Sequence, residues 1–220
     1  MENLTTNNKV FLMGEVATEP EFSHEMYGEG FYDFMLSVKR LSGQNDIIPI
    51  TVSDRLLKDK LRMGDVVALN GQFRSYNKMI DNKSKLMLTV FVKDFVPYDE
   101  SEQNPNSVEL TGFVCKPPVY RTTPFNREIC DVLVAVNRSY NKSDYIPCIA
   151  WGRNARFSQD IRVGQQITVC GRIQSREYSK KIGEETETRV AYELSVSKII
   201  CESKDAGEES AQTEIEEQAQ

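Results

Sequence analysis

The sequence predicts an all-β protein built as two small barrels in tandem, and three observations carry that prediction. The first is an internal repeat. Asn8, Val10, Leu12, Gly14, Val16 and Pro20 recur as Asn106, Val108, Leu110, Gly112, Val114 and Pro118, a constant shift of 98 residues. The same shift takes Asp33, Val38, Arg40, Ile48 and Pro49 onto Asp131, Val136, Arg138, Ile146 and Pro147. After two inserted residues, a shift of 100 takes Arg62, Gly64, Gly71 and Ser75 onto Arg162, Gly164, Gly171 and Ser175. The second observation is alternation: Val, Ile, Leu and Phe exchange with polar residues at the period of half-buried strands. The third is that helical spacing is confined to one short stretch per copy, such as RLLKDKL at 55–61.

Taken in order, the first copy places strands near 8–17, 31–40, 46–53, 65–74 and 86–96, with a helix near 54–62. The second places them near 106–115, 128–138, 144–151, 165–175 and 188–200, with a helix near 153–161. Five strands with the helix between the third and fourth is the order of an OB-fold barrel. Pro49 and Pro147 cannot donate to a ladder, so each is expected at a strand start or a bulge. The domains are then 1–103 and 104–203, joined near the polar, Pro-containing segment SEQNPN at 101–106. Residues 204–220 hold one isoleucine, no aromatic residue and a surplus of acid, and are expected to be a disordered acidic tail.

Composition narrows the function. No run of 18 apolar residues exists, and MENLTTNNKVF lacks a basic segment followed by an apolar one. A cytoplasmic, nucleoid-associated protein without a membrane span is expected. The five cysteines include no C-x-x-C pair, and Cys130, Cys148 and Cys170 sit in apolar runs, which reads as buried free thiols. His24 stands in a polar, Gly-containing loop with no partner at ligand spacing, so no metal site and no cofactor are expected. YGEG at 27–30 is only a turn, and no G-x-S-x-G, Walker A or paired catalytic carboxylates appear. No catalytic residue is assigned and no enzyme is expected.

The net charge of −6 hides a local preference. Residues 1–105 hold 12 basic and 16 acidic side chains, 106–203 hold 14 and 11, and 204–220 hold 1 and 6. Only the second copy is positive, which directs anions towards it. That copy also contains RSYNKSDYIPCIAWGR at 138–153, where Tyr140, Tyr145 and the single tryptophan, Trp151, are interleaved with Arg138, Lys142 and Arg153. As a strand from Tyr145 onward, it sends Tyr145, Ile149 and Trp151 to one face and Ile146, Cys148 and Ala150 to the core. Exposed aromatics beside cations are stacking platforms for unpaired bases. Tyr178, in an arm after the fourth strand with Arg172, Arg176, Lys180 and Lys181, completes the candidate nucleic-acid-binding set. Packing in a core or an interface is the competing reading of these aromatics, and simple solvation that of the cations.

The first copy is an internal control. Ile48, Ile50 and Val52 keep the core face, but Ile47 stands for Tyr145, Thr51 for Ile149 and Ser53 for Trp151. Ser42 stands for Tyr140, and Lys78 for Tyr178 with Tyr76 nearby. Weak nucleic-acid binding by this copy is the expectation.

With those residues named, the chain resembles the bacterial single-stranded DNA-binding proteins. The second copy carries the closer match in NSVELTGFV, DVLVAVNRSY, DYIPCIAWGR and VGQQITVCGRIQSREY. The first matches more loosely through NKVFLMGEV, FMLSVKR and MGDVVALNGQFRSY. The resemblance implies non-catalytic binding and protection of single-stranded DNA in replication, recombination and repair, with stacking at Tyr140, Tyr145, Trp151 and Tyr178. It implies a unit of four OB domains, which a tandem chain reaches as a homodimer, and replication or repair proteins as partners of the acidic tail. The tail departs from the family by ending in EEQAQ rather than an Asp-rich, Pro-Phe tip. Two rival functions fit the same sequence: a protein-interaction adaptor of a replication or primosome-type assembly, and a reading head for a nuclease.

Overall fold

The computed structural model describes residues 7–57, 61–80, 82–182 and 185–201, with the side chains of 180–186 outside the description. The tail at 204–220 and most of the first expected helix's centre, 58–60, lie outside the described residues.

In the first half, β1 (Asn8–Val16), β2 (Glu21–Met26), β3 (Glu29–Lys39), β4 (Asn45–Ser53), β5 (Val66–Ile80) and β6 (Lys83–Val96) follow one another. The second half repeats them as β7 (Asn106–Val114), β8 (Val119–Thr122), β9 (Glu128–Arg138), β10 (Lys142–Trp151), β11 (Gln166–Ile182) and β12 (Glu185–Cys201). Between β10 and β11 lies α1 (Arg153–Ser158), shorter than the expected 153–161. At the matching place in the first half, residues 54–56 form a turn rather than a helical start.

Each half closes on itself. β1 pairs with both β3 and β5, β3 with β4, β4 in parallel with β6, and β6 with β5. β7, β9, β10, β12 and β11 close the second barrel in the same order. These are two tandem OB-fold barrels. Each carries a sixth strand not expected from the sequence, β2 on β3 and β8 on β9. Both are exposed along their whole length, so no apolar alternation betrays them.

The barrels are joined edge to edge by β1 and β7, antiparallel, with Val10 opposite Val108. Val10 and Val108 are repeat mates, so the register alone creates a local two-fold relation between the copies. Asn8 donates to Phe73 O (2.9 Å) and accepts from Phe73 N–H (2.8 Å). Asn106 does the same with Ile173, at 2.7 and 2.9 Å. The repeated asparagines thus satisfy a buried backbone donor and acceptor where β1 leaves β5 and β7 leaves β11.

Bulges between Asn70 and Gly71 and between Cys170 and Gly171 bend β5 and β11 around their barrels. A Cβ on Gly171 would stand 2.1 Å from Ser195 O, so only glycine permits the approach. The prolines are not at starts or bulges. Pro49 and Pro147 lie inside β4 and β10 in unbroken register with Met35 and Leu133. Each nitrogen faces away from that partner, on a side where the parallel neighbour is paired only from Ile50 and from Cys148 onward. The ladder bond that proline cannot make is not called for there.

Cys130 and Cys148 are buried as free thiols, while Cys170 is half-buried. His24 is in β2 rather than a loop and stacks on Phe31, ring centroids 5.0 Å apart. Among the described residues no helix is long and apolar enough to cross a membrane.

Candidate nucleic-acid interface

Strand β10 runs from Lys142 rather than from near 144, so the hairpin with β9 is longer than expected and Lys142 belongs to it. Its inner face is closed: Ile146, Cys148 and Ala150 are all buried. Its outer face shows Tyr145 and Trp151, 46% and 37% exposed, with Ile149 between them only 5% exposed. Ile149 shares the aromatics' face as expected but is covered there. It is apolar packing between two platforms rather than part of an open surface.

Trp151 is fixed at its polar end, where Nε1–H donates to Ser195 Oγ at 3.2 Å. Tyr140 stands at the tip of the β9–β10 hairpin, 94% exposed, with Tyr140 and Asn141 both at positive φ. Left-handed backbone at a tyrosine is uncommon, and this ring is open to solvent on nearly every side. Tyr178 is not in an arm after the strand. It lies within β11, opposite Arg189, and the β11–β12 hairpin continues to Ile182. The Arg176 guanidinium sits 6.0 Å from the Tyr178 ring centroid, at the edge of cation–π range.

The cations divide into two groups. Lys142 and Arg153 are exposed, and neither makes an ion pair among the described residues. Arg138, Arg172 and Arg176 are engaged. Arg138 pairs with Asp144 at 3.4 Å and Arg176 with Glu193 at 3.4 Å. Arg172 reaches across to the other barrel and pairs with Asp46 at 2.9 Å. Lys180 and Lys181 have side chains outside the described residues. The acids of this face are also covered: Arg121 holds Asp131 at 2.7 Å, and Gln174 donates to Glu193 at 2.7 Å.

Two buried aspartates organise the seam between the barrels, and the sequence reading assigned neither. Asp46 accepts from Ser175 N–H (2.7 Å), Arg172 (2.9 Å) and Arg40 Nε (2.8 Å), and this bonding holds the Arg40 guanidinium above its ordinary pKa. Its repeat mate Asp144 accepts from Ser75 N–H at 2.8 Å. Burial raises the pKa of Asp144, against the opposing pull of Ser75 N–H, Arg138 and Arg74. Backbone follows the same two-fold scheme: Ile47 N–H donates to Ser175 Oγ (3.2 Å) and Tyr145 N–H to Ser75 Oγ (2.7 Å). The clue was present in the repeat, which keeps Arg40, Asp46 and Ser75 as Arg138, Asp144 and Ser175.

The first barrel lacks the matching platforms. Ile47 is 39% exposed, but Thr51 and Ser53 are buried, Thr51 donating to Asp33 and Ser53 to Glu29. Aromatics occur instead on neighbouring strands: Phe31 and Phe91 have centroids 5.7 Å apart, with the Arg74 guanidinium 3.8 Å over Phe91.

Comparison with known proteins finds relatives of the second barrel and of the whole fold. Residues 105–200 match the model of the Single-strand binding protein family. Single-stranded DNA-binding protein 1 of Staphylococcus aureus is 30% identical over 105 residues, which cover 44% of this chain and 58% of that protein. Single-stranded DNA-binding protein 1 of Streptococcus pyogenes is 33% identical over 86 residues, 36% of this chain and 66% of that protein. The match thus spans less than two thirds of either relative. In fold, the chain is similar to the wild-type single-stranded DNA binding protein from Thermus aquaticus, with a TM-score of 0.71 at 19% identity over 91% of this chain and 95% of that one. The second barrel, residues 105–200, is thus similar to the bacterial single-strand binding protein family.

Proposed function

We propose that this chain binds single-stranded DNA, without catalysis and largely without regard to sequence, and protects it during replication, recombination and repair. One observation carries the reading. The outer face of β10 in the second barrel holds Tyr145 and Trp151 exposed, with Tyr178 exposed on β11 and the unpaired cations Lys142 at the start of β10 and Arg153 at the start of α1. Rings on rigid strands lose little freedom when a base stacks on them, and each stacked base contributes about 1–3 kcal/mol. Unpaired lysine and arginine exchange condensed counterions for phosphate. The names of the relatives point to the same ligand.

Arg138, Arg172 and Arg176 serve mainly to order this face, since each already holds a carboxylate. The direct phosphate contacts then fall first to Lys142 and Arg153. A homodimer assembling four OB barrels, a cytoplasmic, nucleoid-associated location and contacts of the acidic tail with replication or repair proteins complete the proposal.

Titrating Trp151 emission with oligo-dT tests it. Quenching is expected, with log affinity falling against log salt by about 0.7 for each neutralised phosphate. Unchanged emission together with no salt-sensitive affinity would reject the proposal.

A further inference from the structure

The aromatic face of the second barrel meets the first barrel at its edge. Tyr145 N–H donates to Ser75 Oγ, and Ser75 N–H donates to Asp144, so β10 lies directly against β5. Ser75 turns inward with Phe73, and strand alternation sends Arg74 and Tyr76 to the opposite side. Tyr76 follows the very residue that Tyr145 touches, which brings their backbones within roughly 10 Å. Its ring is 46% exposed, as is that of Tyr145.

Arg74 is an unusual cation. Its guanidinium bonds to Gln72 Oε1 (3.2 and 2.7 Å) and sits 3.8 Å over the Phe91 ring, and it makes no ion pair among the described residues. Burial, and next the nearby Arg138, lower its pKa to about 10, which still leaves it protonated at neutral pH. Asp144 is near enough to attract it but does not pair with it, and a half-buried guanidinium over a ring with no carboxylate bonded to it is suited to an incoming phosphate.

The opposite seam shows that this is not a general property of the scaffold. There Ile47 replaces Tyr145, Gln174 replaces Arg74 and Arg176 replaces Tyr76. Gln174 and Arg176 both bind Glu193, which lies opposite Gln174. The residue opposite Arg74 is Thr89, which carries no charge. Beside the buried aspartate that each seam keeps, one seam adds Glu193 against its Gln174 and Arg176, whereas the other has no acid opposite Arg74.

We propose that Arg74 and Tyr76 of the first barrel extend the single-strand path of the second. Arg74 receives a phosphate, and Tyr76 stacks a base beyond the one on Tyr145. The extension rests on the proposed function and ends close to Tyr76. Asp33, bonded by Thr51, is near enough to raise the Tyr76 pKa after burial has done so, and it repels a phosphate travelling further.

The full chain titrated with a dT oligomer of about 30 nucleotides, long enough for two OB-sized sites, tests this. Tyr76→Ala is expected to weaken binding on the order of tenfold, with Tyr76→Phe restoring it and both variants melting as wild type does. Arg74→Met, which keeps apolar cover on Phe91, is expected to make the salt slope shallower by about 0.7. Wild-type affinity in Tyr76→Ala overturns the extension whatever Arg74→Met does. If wild type itself neither binds nor quenches, the proposed function falls and the extension with it. Normal wild-type binding with an indifferent Tyr76 sinks the extension alone.

Discussion

Replacing Asp46 with alanine removes the one carboxylate on which two arginines and a backbone N–H converge. Its side chain is 1% exposed and accepts from Arg40 in its own barrel and from Arg172 and Ser175 in the other. Removing one partner of a buried ion pair costs about 3–5 kcal/mol, because the remaining charge stays desolvated. Here the stranded guanidiniums are 23% and 38% exposed, so water recovers part of the loss. The lower end, about 3 kcal/mol, is therefore expected. For a chain of this size each kcal/mol moves the melting temperature by about 2–4 °C, giving a fall of roughly 6–12 °C in Asp46→Ala. The pseudo-symmetric variant Asp144→Ala is the control. Asp144 has one backbone N–H at 2.8 Å and a looser pair with Arg138 at 3.4 Å, so its loss is expected to be about half as large. Melting curves followed by far-ultraviolet circular dichroism measure both. A fall under about 2 °C in Asp46→Ala, or a larger fall in Asp144→Ala, would refute the assignment of this seam as the tie between barrels.

Three further outcomes are expected. Trp151→Ala should weaken oligo-dT binding by about 1–3 kcal/mol, whereas Ser53→Ala, at the buried position of the repeat mate, should leave it unchanged; equal losses by filter binding would contradict the division between the barrels. Asp144 has a raised folded pKa, so its contribution to stability is complete below the unfolded value of about 4 and is lost as pH rises through the folded one. Asp144→Asn keeps an acceptor for Ser75 N–H, so the stability of wild type relative to this variant should grow as pH falls from 7 towards 4; the opposite trend in paired melts would reverse the sign argued here. Gly171→Ala forces a Cβ towards Ser195 O and should lower stability by about 3 kcal/mol, read as the midpoint of urea unfolding, with an unchanged midpoint arguing that the bulge relaxes freely.

Alternation within each copy was enough to read the core. Ile48, Ile50 and Val52 in β4, like Ile146, Cys148 and Ala150 in β10, face inward as their period requires. Period two reports only a side, however, and not what covers it. Ile149 was readable as outward but not as buried, because its cover comes from packing on that face. The long hairpin bearing Tyr178 escaped for a related reason: SREYSKK has polar residues on both faces and so no alternation to read. Strands β2 and β8, exposed throughout, were silent in the same way.

The sequence by itself determined that there are two copies of one barrel, that they close in the OB order, and that the strand bearing Tyr145 and Trp151 belongs to the second. Those properties follow from local period and from an internal repeat, both written within a few tens of residues. Tertiary structure alone decided which cations are free. Arg172 meets its carboxylate 126 positions away in the chain, and Tyr145 meets Ser75 at a separation of 70. Such partners are chosen by how β1 and β7 align the two barrels. A charge satisfied across that seam carries the same letter as one left open to a phosphate.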